Sequence, residues 1–345
     1  MGRPIVRLRD IADRTGFSVN TVSLALRDSP RIPEDTRMMI RLAAEALNYL
    51  PNHIAKSLVS RETKTIGLVL TSMTNPILTH VAQAIELRLA GQGYSTLFAT
   101  SNNDPAEEKK VIEVFRSRQV DGMLIYPRAH RELDHIRRLR EAGYPVVLLV
   151  GDADAGVDTV CMDQQRGSWK ATQHLITLGH RRIGLIDGGG MRGNFEKRDG
   201  YRQALIDAGI GVEEAFEVTP REHSLAAGHA AMAELAQRDS GITAILAATD
   251  ALALGALRWT HEQGLTVPDN MAIAGFDNIE FGAYAPTPLT SVDYAVERVT
   301  ELAVDRLLGL IRWEGGILPE PQVTLIDPDL MVRESTAGRL AKSDP

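Results

Sequence analysis

From residue 65 onward the sequence repeats one pattern, a short run of consecutive apolar residues followed by an amphipathic stretch. Consecutive apolar runs predict strands that are buried on both faces, and the amphipathic stretches predict the helices that cover them. The predicted strands are 66–71, 95–99, 122–126, 146–150, 159–162, 183–186, 244–247 and 272–275, and the predicted helices are 78–90, 107–116, 169–178, 225–237, 252–262 and 297–311. This part of the chain is therefore expected to be α/β, with parallel sheets.

The number of these units favours two sheets over one. A single sheet of this many strands would be unusually wide, so we expect two doubly wound lobes. The length of 345 residues also indicates more than one structural unit. A single barrel of eight alternating strands and helices is the alternative that periodicity alone leaves open.

Composition places the chain among cytoplasmic proteins without a membrane partner. It is 44% apolar and 24% charged, as is usual for soluble globular proteins. The sequence contains no run of eighteen apolar residues and no apolar segment behind the arginines of its N-terminus. The single cysteine, Cys161, cannot form an internal disulfide or a multi-cysteine metal site, and no cofactor is expected.

Charge is distributed unevenly along the chain. Residues 1–64 contain 11 Lys and Arg against 7 Asp and Glu, whereas the whole chain has a formal net charge of −7. A small basic segment on a large acidic body is a common arrangement in proteins that contact phosphate. Ordinary variation of surface charge explains the asymmetry equally well, so charge alone does not identify a partner.

The first 50 residues predict three helices. Residues 8–15 place Leu8, Ile11 and Ala12 at helical spacing, and the following Gly16 suits a helix end. Ser18 can cap a second helix over 19–26, and two short helices joined by such a tight turn are typical of a helix-turn-helix. A third helix is expected from Pro33 to about residue 47, packed on the pair through Met38, Ile40 or the stem of Arg41, Leu42, Ala43 and Leu47.

The string IADRTGFSVNTVSLALRDSPRIPEDTR, with AAEALNYLPNHIAKSL after it, resembles the DNA-binding head of the LacI/GalR family of regulators. The resemblance implies that the second helix enters the major groove, where Asn20 can pair with adenine and Val19 can contact a thymine methyl group. Thr21 and Ser23 are suited to phosphate. The implied contacts in this helix are Ser18, Val19, Asn20, Thr21, Ser23 and Leu24. Leu24 departs from the family's lactose-repressor type member, which has a guanine-reading arginine there.

Residues 51–58, PNHIAKSL, resemble the hinge helix of the same family. The resemblance implies that this segment folds only on DNA, with Asn52, Ala55 and Lys56 near the minor groove and Leu58 wedged into a base step. Eight residues are too few for a stable isolated helix, which agrees with folding coupled to binding. A plain interdomain linker is the alternative.

The resemblance continues through VDG at 120–122, LGHRRIG at 178–184, GY at 200–201, GFDN at 275–278 and PLTSV at 288–292. It implies a periplasmic-binding-protein-like core whose chain crosses between the lobes near 162–164, 290–293 and 323–326. The expected organisation is a helix-turn-helix domain at 1–50, a hinge and linker at 51–63, a core at 64–337 and a tail at 338–345. Lobe 1 is expected at about 64–162 and 293–323, and lobe 2 at about 163–290 and 326–337.

The resemblance also implies an effector site between the lobes, at the carboxyl ends of the strands. The matching residues are Asn75, Ile77, Arg192, Lys197, Arg198, His223, Thr249 and Asp277. Lys197 occupies the place of a clamping arginine, and lysine offers a point charge in place of a planar fork. The cations favour an anionic sugar derivative. Asp250 as a simple helix cap and His223 as a surface residue remain open.

Other classes of protein are less consistent with the sequence. The glycines at 188–193 spell GxGxxG, but they lie in the middle of the chain and no strand-terminating acidic residue follows about twenty residues later. Motifs of common hydrolases and nucleotide-binding enzymes are absent from the sequence, so no enzymatic activity is expected. A transporter's solute-binding protein shares the core fold, but it would not need a DNA-binding head.

The expected function is transcriptional regulation, most simply repression, by a homodimer that binds a pseudo-palindromic double-stranded DNA operator. Activation is the alternative mode of regulation. The short tail lacks leucine heptads, which favours a dimer over a tetramer.

Overall fold

The computed structural model describes residues 6–49, 62–151, 154–188, 194–238 and 241–337. The chain divides into two compact units, Met1–Thr63 and Lys64–Pro345. Within the described ranges, no helix is long and apolar enough to cross a membrane.

The described residues of the first unit, the head, form three helices, α1 (Leu8–Thr15), α2 (Val19–Leu26) and α3 (Glu34–Ala46). Gly16 ends α1 with a φ of 73°, a left-handed conformation that costs glycine little. The Ser18 hydroxyl accepts a hydrogen bond from the Thr21 amide at 3.1 Å and so caps α2. The predicted helix-turn-helix is confirmed.

The buried face of α3 differs from the predicted one. Ile40 and Ala44 are buried in the core of the head, and Leu47 packs against that core. Met38 and Leu42, which were expected to pack inward, are 51% and 59% exposed. The two pairs have the same spacing of four residues but lie on nearly opposite faces of the helix, about 200° apart, so the spacing alone could not choose between them.

The second unit, the core, contains two six-stranded sheets, and each belongs to one lobe. The sheet of lobe 1 has the strand order β11-β5-β4-β3-β1-β2, and all of its pairs are parallel. Its strands are β1 (Thr65–Leu70), β2 (Ser95–Thr100), β3 (Gly122–Ile125), β4 (Val146–Leu148), β5 (Thr159–Met162) and β11 (Val323–Ile326).

The sheet of lobe 2 has the order β12-β10-β9-β8-β6-β7. It is parallel except for the pair formed by β10 and β12. Its strands are β6 (Ile183–Ile186), β7 (Glu217–Val218), β8 (Ala244–Ala247), β9 (Ala272–Asp277), β10 (Thr290–Asp293) and β12 (Leu330–Met331). The predicted two-lobed α/β core is confirmed.

Helices cover both sheets and follow the strands in the expected alternation. Side-chain caps define several of their starts, as where Asn75 accepts from the Ile77 amide at 3.2 Å and Thr249 accepts from the Leu252 amide at 3.3 Å. The helices of the core are α4 (Pro76–Gly91), α5 (Pro105–Ser117), α6 (Asp134–Glu141), α7 (Gln164–Thr177), α8 (Glu196–Asp207), α9 (Leu225–Arg238), α10 (Asp250–Glu262), α11 (Glu280–Ala283), α12 (Val296–Ile311) and α13 (Glu334–Ala337).

The chain passes between the two lobes after β5, after β10 and again after β11. The segment 323–326, near which a crossing was expected, is the edge strand β11 of lobe 1, and the chain leaves lobe 1 directly after it. Its central residues Thr324 and Leu325 are exposed, so the segment lacks the continuous apolar run that identified the other strands.

One buried carboxylate joins three elements of lobe 1. Asp158, which exposes no surface, accepts hydrogen bonds from Nε of Arg140 on α6 at 3.0 Å and from Nε of Arg306 on α12 at 2.7 Å. It also accepts from the amide of Gln322, beside β11, at 3.1 Å. Removing one member of such a cluster leaves buried charges without compensation.

We expect Asp158→Ala to lower the free energy of unfolding by about 3–5 kcal/mol, because two arginines would lose their shared partner. Urea unfolding followed by circular dichroism measures this change. The control is Glu107→Ala, which removes an exposed ion pair with Lys110 and should cost less than about 1 kcal/mol. Equal effects of the two substitutions would contradict the structural role of Asp158.

Candidate functional site

In the head, the first turn of α2 presents polar and apolar side chains to solvent. Ser18, Val19 and Asn20 are exposed, and Val19 is 44% exposed. No acidic residue lies in this turn, so the positive end of the helix dipole is not neutralised by a neighbouring carboxylate of the helix. An exposed helix end with an amide and a small apolar side chain has the chemistry that base edges in the major groove require.

The remaining residues predicted on α2 are less accessible. Thr21, Ser23 and Leu24 are half-buried, and the Thr21 hydroxyl lies 2.8 Å from that of Ser18. The predicted hinge residues Asn52, Ala55, Lys56 and Leu58 lie outside the described residues, so their DNA contacts stay a prediction.

In the core, a cleft of about 530 Å³ lies between the lobes. Its walls come from the segments that follow the carboxyl ends of the strands, as parallel sheets generally arrange them. Among the described residues, no group of three His, Cys, Asp or Glu side chains could hold a metal ion. The lining is mainly polar, which suits a ligand rich in hydrogen-bonding groups.

Most of the predicted effector residues come together in this cleft. The lining includes Asn75, Ile77, Lys197, His223, Thr249 and Asp277. The ring of His223 also hydrogen bonds to the carbonyl of Gly188 at 2.6 Å, and Thr249 also caps α10. Asp250, left open as a cap, accepts from the Ser291 hydroxyl at 2.6 Å and from the Ile279 amide at 2.8 Å.

Arg198 lies behind the cleft wall, unlike the other described members of the predicted set. Its guanidinium donates to Asp187 at 2.6 Å and to Thr219 at 3.0 Å, and it does not line the cleft. Lys197 and Arg198 are neighbours on α8, so a helical turn of about 100° directs only one of them into the cleft. Arg192 lies outside the described residues, and its role stays a prediction.

Several cleft residues were not predicted from the sequence. They include Asn102, Tyr126, Arg128, His130, Asn194 and Arg221. Four of them follow β2 or β3 within about five residues, so the signal was available in principle, because the carboxyl ends of parallel strands share one edge. Asn194 and Arg221 lie in loops of lobe 2 whose position depends on long-range packing.

The backbone at the end of β9 is strained in a way that directs Asp277 into the cleft. Asp277 has a φ of 110°, which non-glycine residues rarely adopt. The residue is only 6% exposed and lines the cleft, and no described residue donates a hydrogen bond to its carboxylate, which leaves it available to a ligand. Backbone strain at a buried, cleft-lining carboxylate is typical of a ligand-binding residue.

Burial controls the ionisation of this part of the cleft. It raises the pKa of Asp277 to about 7, against the opposing charge of Lys197. Burial and the neighbouring Asp277 together raise the pKa of Asp250 to about 8. Burial also lowers the pKa of Lys197, which donates to the carbonyl of Ala248 at 2.6 Å and lies 3.7 Å from the centre of the Phe276 ring.

The comparisons with known proteins match both units of the chain. Residues 7–52 match the family model of bacterial regulatory proteins of the lacI family, and residues 172–336 match that of the periplasmic binding protein-like domain. The HTH-type transcriptional regulator DegA of Bacillus subtilis (strain 168) is 30% identical over 332 residues, which is 95% of this chain and 97% of DegA.

Solved structures agree with these matches. A transcriptional regulator CelR–cellobiose complex has a TM-score of 0.70 and 30% identity, and the match covers 96% of this chain and 100% of CelR. A Lac repressor dimer bound to operator and the anti-inducer ONPF has a TM-score of 0.84, with coverage of 96% and 99%. At 24% identity, the second similarity concerns the fold.

The raised pKa of Asp277 predicts how stability depends on pH. The folded protein binds the proton of the Asp277 carboxyl more tightly than the unfolded chain does. The resulting stabilisation is complete below the unfolded pKa near 3.8 and is lost as pH rises through the folded pKa of about 7. We expect Asp277→Asn to reduce the fall in the free energy of unfolding between about pH 5 and pH 8 by on the order of 2 kcal/mol.

Urea unfolding across this pH range tests the prediction. Asn75→Ala is the control, because Asn75 lines the same cleft and does not titrate. Its profile should be displaced from that of the wild type by a constant amount, through loss of the cap on α4. Parallel profiles for Asp277→Asn and the wild type would contradict the prediction.

Proposed function

The chain belongs to the LacI family of bacterial regulatory proteins, and from that premise we propose that it is a dimeric transcriptional repressor controlled by a small polar effector. The observation that carries the proposal is that one chain joins an exposed helix-turn-helix to a polar cleft lined by an aspartate with a strained backbone. A solute-binding protein has no use for the head. The proposal assigns no catalytic residue to the cleft, and it places the protein in the cytoplasm, with its DNA.

Recognition of DNA is assigned to the first turn of α2. The exposed side-chain amide of Asn20 has a donor and an acceptor that complement the acceptor and donor of adenine in the major groove. Val19 offers an apolar surface for a thymine methyl group. Thr21 and Ser23 are proposed to bind phosphate. Ser18 caps α2 and is also proposed to contact the DNA. Leu24 cannot read guanine as an arginine would, so the operator is expected to differ from that of the lactose repressor at the corresponding base pair.

A dimer would place two such helices on the halves of a pseudo-palindromic operator. The hinge residues Asn52, Ala55, Lys56 and Leu58 are proposed to fold in the minor groove and to kink the central step. The Lac repressor dimer on its operator has the same fold as this chain, which supports the arrangement.

The effector is proposed to be a sugar or sugar derivative. CelR, a relative at 30% identity, was solved in complex with cellobiose, and the cleft of this chain is rich in amide and hydroxyl groups. The Asp277 carboxylate can accept from a ligand hydroxyl. Arg128, Lys197 and Arg221 in the lining favour a derivative that carries a negative charge.

We expect Asn20→Ala to relax the base preference at one position of each half-site, because only the bonds to that base are lost. Selection of binding sites from random DNA, followed by sequencing, measures the preference at every position. Glu45→Ala on the exposed side of α3 is the control and should leave the preferences unchanged. A uniform loss of affinity at all sequences would show that Asn20 contributes only to general DNA binding.

A thermal-shift screen tests the proposed effector class. Cellobiose, gluconate, glucose 6-phosphate and hypoxanthine are suitable probes, and a bound probe at 100 times its Kd should stabilise the fold by about 2.7 kcal/mol. Asp277→Ala should abolish the shift produced by the active probe, while Asp305→Asn on the distant α12 should retain it. A shift that survives Asp277→Ala would place the ligand elsewhere.

A further inference from the structure

A group of hydrogen bonds crosses the cleft between the segment after β3 in lobe 1 and the segment before α8 in lobe 2. The backbone amide of His130 donates to Oδ1 of Asn194 at 2.9 Å, and Nδ2 of Asn194 donates to the carbonyl of Arg128 at 3.1 Å. The side-chain amide of Asn194 thus uses both its oxygen and its nitrogen to hydrogen bond to the backbone of the other lobe.

A second contact lies beside the first. Nδ1 of His130 is 2.9 Å from Oε1 of Glu196, and their side chains are only 5% and 17% exposed. Burial alone would raise the pKa of Glu196, but the hydrogen bond and charge of His130 outweigh it and hold that pKa below its usual range. The pair is therefore a hydrogen bond to an ionised carboxylate shielded from water, which is among the stronger kinds of polar contact.

The position of these contacts links them to ligand binding. Arg128, His130 and Asn194 line the cleft, and Glu196 directly precedes Lys197 on α8. A change in the spacing of the lobes at this point would move Lys197 relative to the opposite wall. Every donor and acceptor in the group belongs to the protein, so the contacts do not require a ligand to bridge the lobes.

We propose that His130, Asn194 and Glu196 form an interlobe latch that holds the two lobes engaged at one end of the cleft and sets the position of Lys197 for ligand binding. The three are positioning residues, which act through the spacing of the lobes. Because a ligand binds only the fraction of molecules with correctly spaced lobes, the latch reduces the conformational cost of binding. The latch concerns the core alone and does not depend on DNA binding.

The structure offers a matched control within lobe 1. His135 on α6 contacts Glu108 on α5 at 2.9 Å, with exposed side-chain fractions of 20% and 5%. This is the same type of contact at the same distance, but both partners belong to one lobe. His135→Ala removes this pair and none of the hydrogen bonds between the lobes, and Glu108 keeps its second contact, in which it accepts from the Arg128 amide at 2.7 Å.

Distance measurements between spin labels test the latch. Lys109→Cys on α5 and Gln237→Cys on α9 place labels at exposed sites on different lobes. The native Cys161 is buried, and burial raises the pKa of its thiol to about 12, so it should resist labelling. The doubly labelled protein is diluted into unlabelled protein, so that distances within one chain dominate, and the distribution is recorded by double electron–electron resonance without DNA.

We expect His130→Ala/Asn194→Ala to move the distance distribution by more than about 2 Å and to raise the population outside the wild-type distance on the order of tenfold. His135→Ala should keep the wild-type distribution. Circular dichroism confirms that each variant is folded, and Asn194→Ala alone carries the test if the double variant does not fold. An unchanged distribution in a folded latch variant, or an equal change in His135→Ala, would overturn the proposal.

Discussion

Apart from the antiparallel pair of β10 and β12, neighbouring strands in both lobes run in the same direction, so the chain must cross the sheet before it can add the next strand. Helices make most of these crossings, and they cover the two faces of the sheet. As a result the carboxyl ends of the strands in each lobe share one edge. The cleft lies where the two edges face each other, and Asn75, Tyr126, Thr249 and Asp277 reach it because each follows or ends a strand.

This arrangement concentrates unfavourable electrostatics at the cleft. Asp250 and Asp277 are both buried, and the burial that raises their pKa values also lowers that of Lys197. Asp250 is compensated by Ser291 and by the Ile279 amide, whereas the Asp277 carboxylate has no such donor in the part of the chain that the structure describes. The protein therefore keeps one buried carboxylate available in the cleft, where a ligand could donate to it, a common trade of stability for binding.

The contrast with Asp158 shows that burial alone does not identify a binding residue. Asp158 exposes no surface, but two arginines and a backbone amide satisfy its carboxylate, and its position lies among α6, α12 and β11. Its role is to hold lobe 1 together. The difference between the two aspartates lies in their partners, which sequence does not reveal.

The sequence predicted the regular parts of the fold well, because buried parallel strands and capped helices have strong local patterns. It failed where local pattern is weak or ambiguous. The strands β7 and β12 have two residues each, and β11 has an exposed centre, so none produces an apolar run. On α3, Met38 and Leu42 repeat the spacing of the buried Ile40 and Ala44, and only packing distinguishes the two stripes.

The residues of the cleft were easier to predict the closer they lie to the end of a strand. Asp277 ends β9, and a short apolar run with an acidic end is visible in the sequence. The sequence could not show that Lys197 and not Arg198 faces the cleft, because the direction of a side chain on α8 depends on the rotation of that helix against α7, which local pattern does not fix. His130 and Asn194 are 64 residues apart and belong to different lobes, so no local signal could connect them.

The connections between the lobes explain why such long-range contacts matter. The chain passes between the lobes at three places, after β5, β10 and β11, and these connections alone would allow the lobes to hinge about them. Hydrogen bonds at the latch oppose that motion, because opening there must break the contacts of Asn194 and separate His130 from Glu196. A ligand in the cleft can change lobe geometry only by as much as its affinity differs between the open and engaged forms. The strength of the latch therefore determines how much of the binding energy remains to shift the lobes between these two forms.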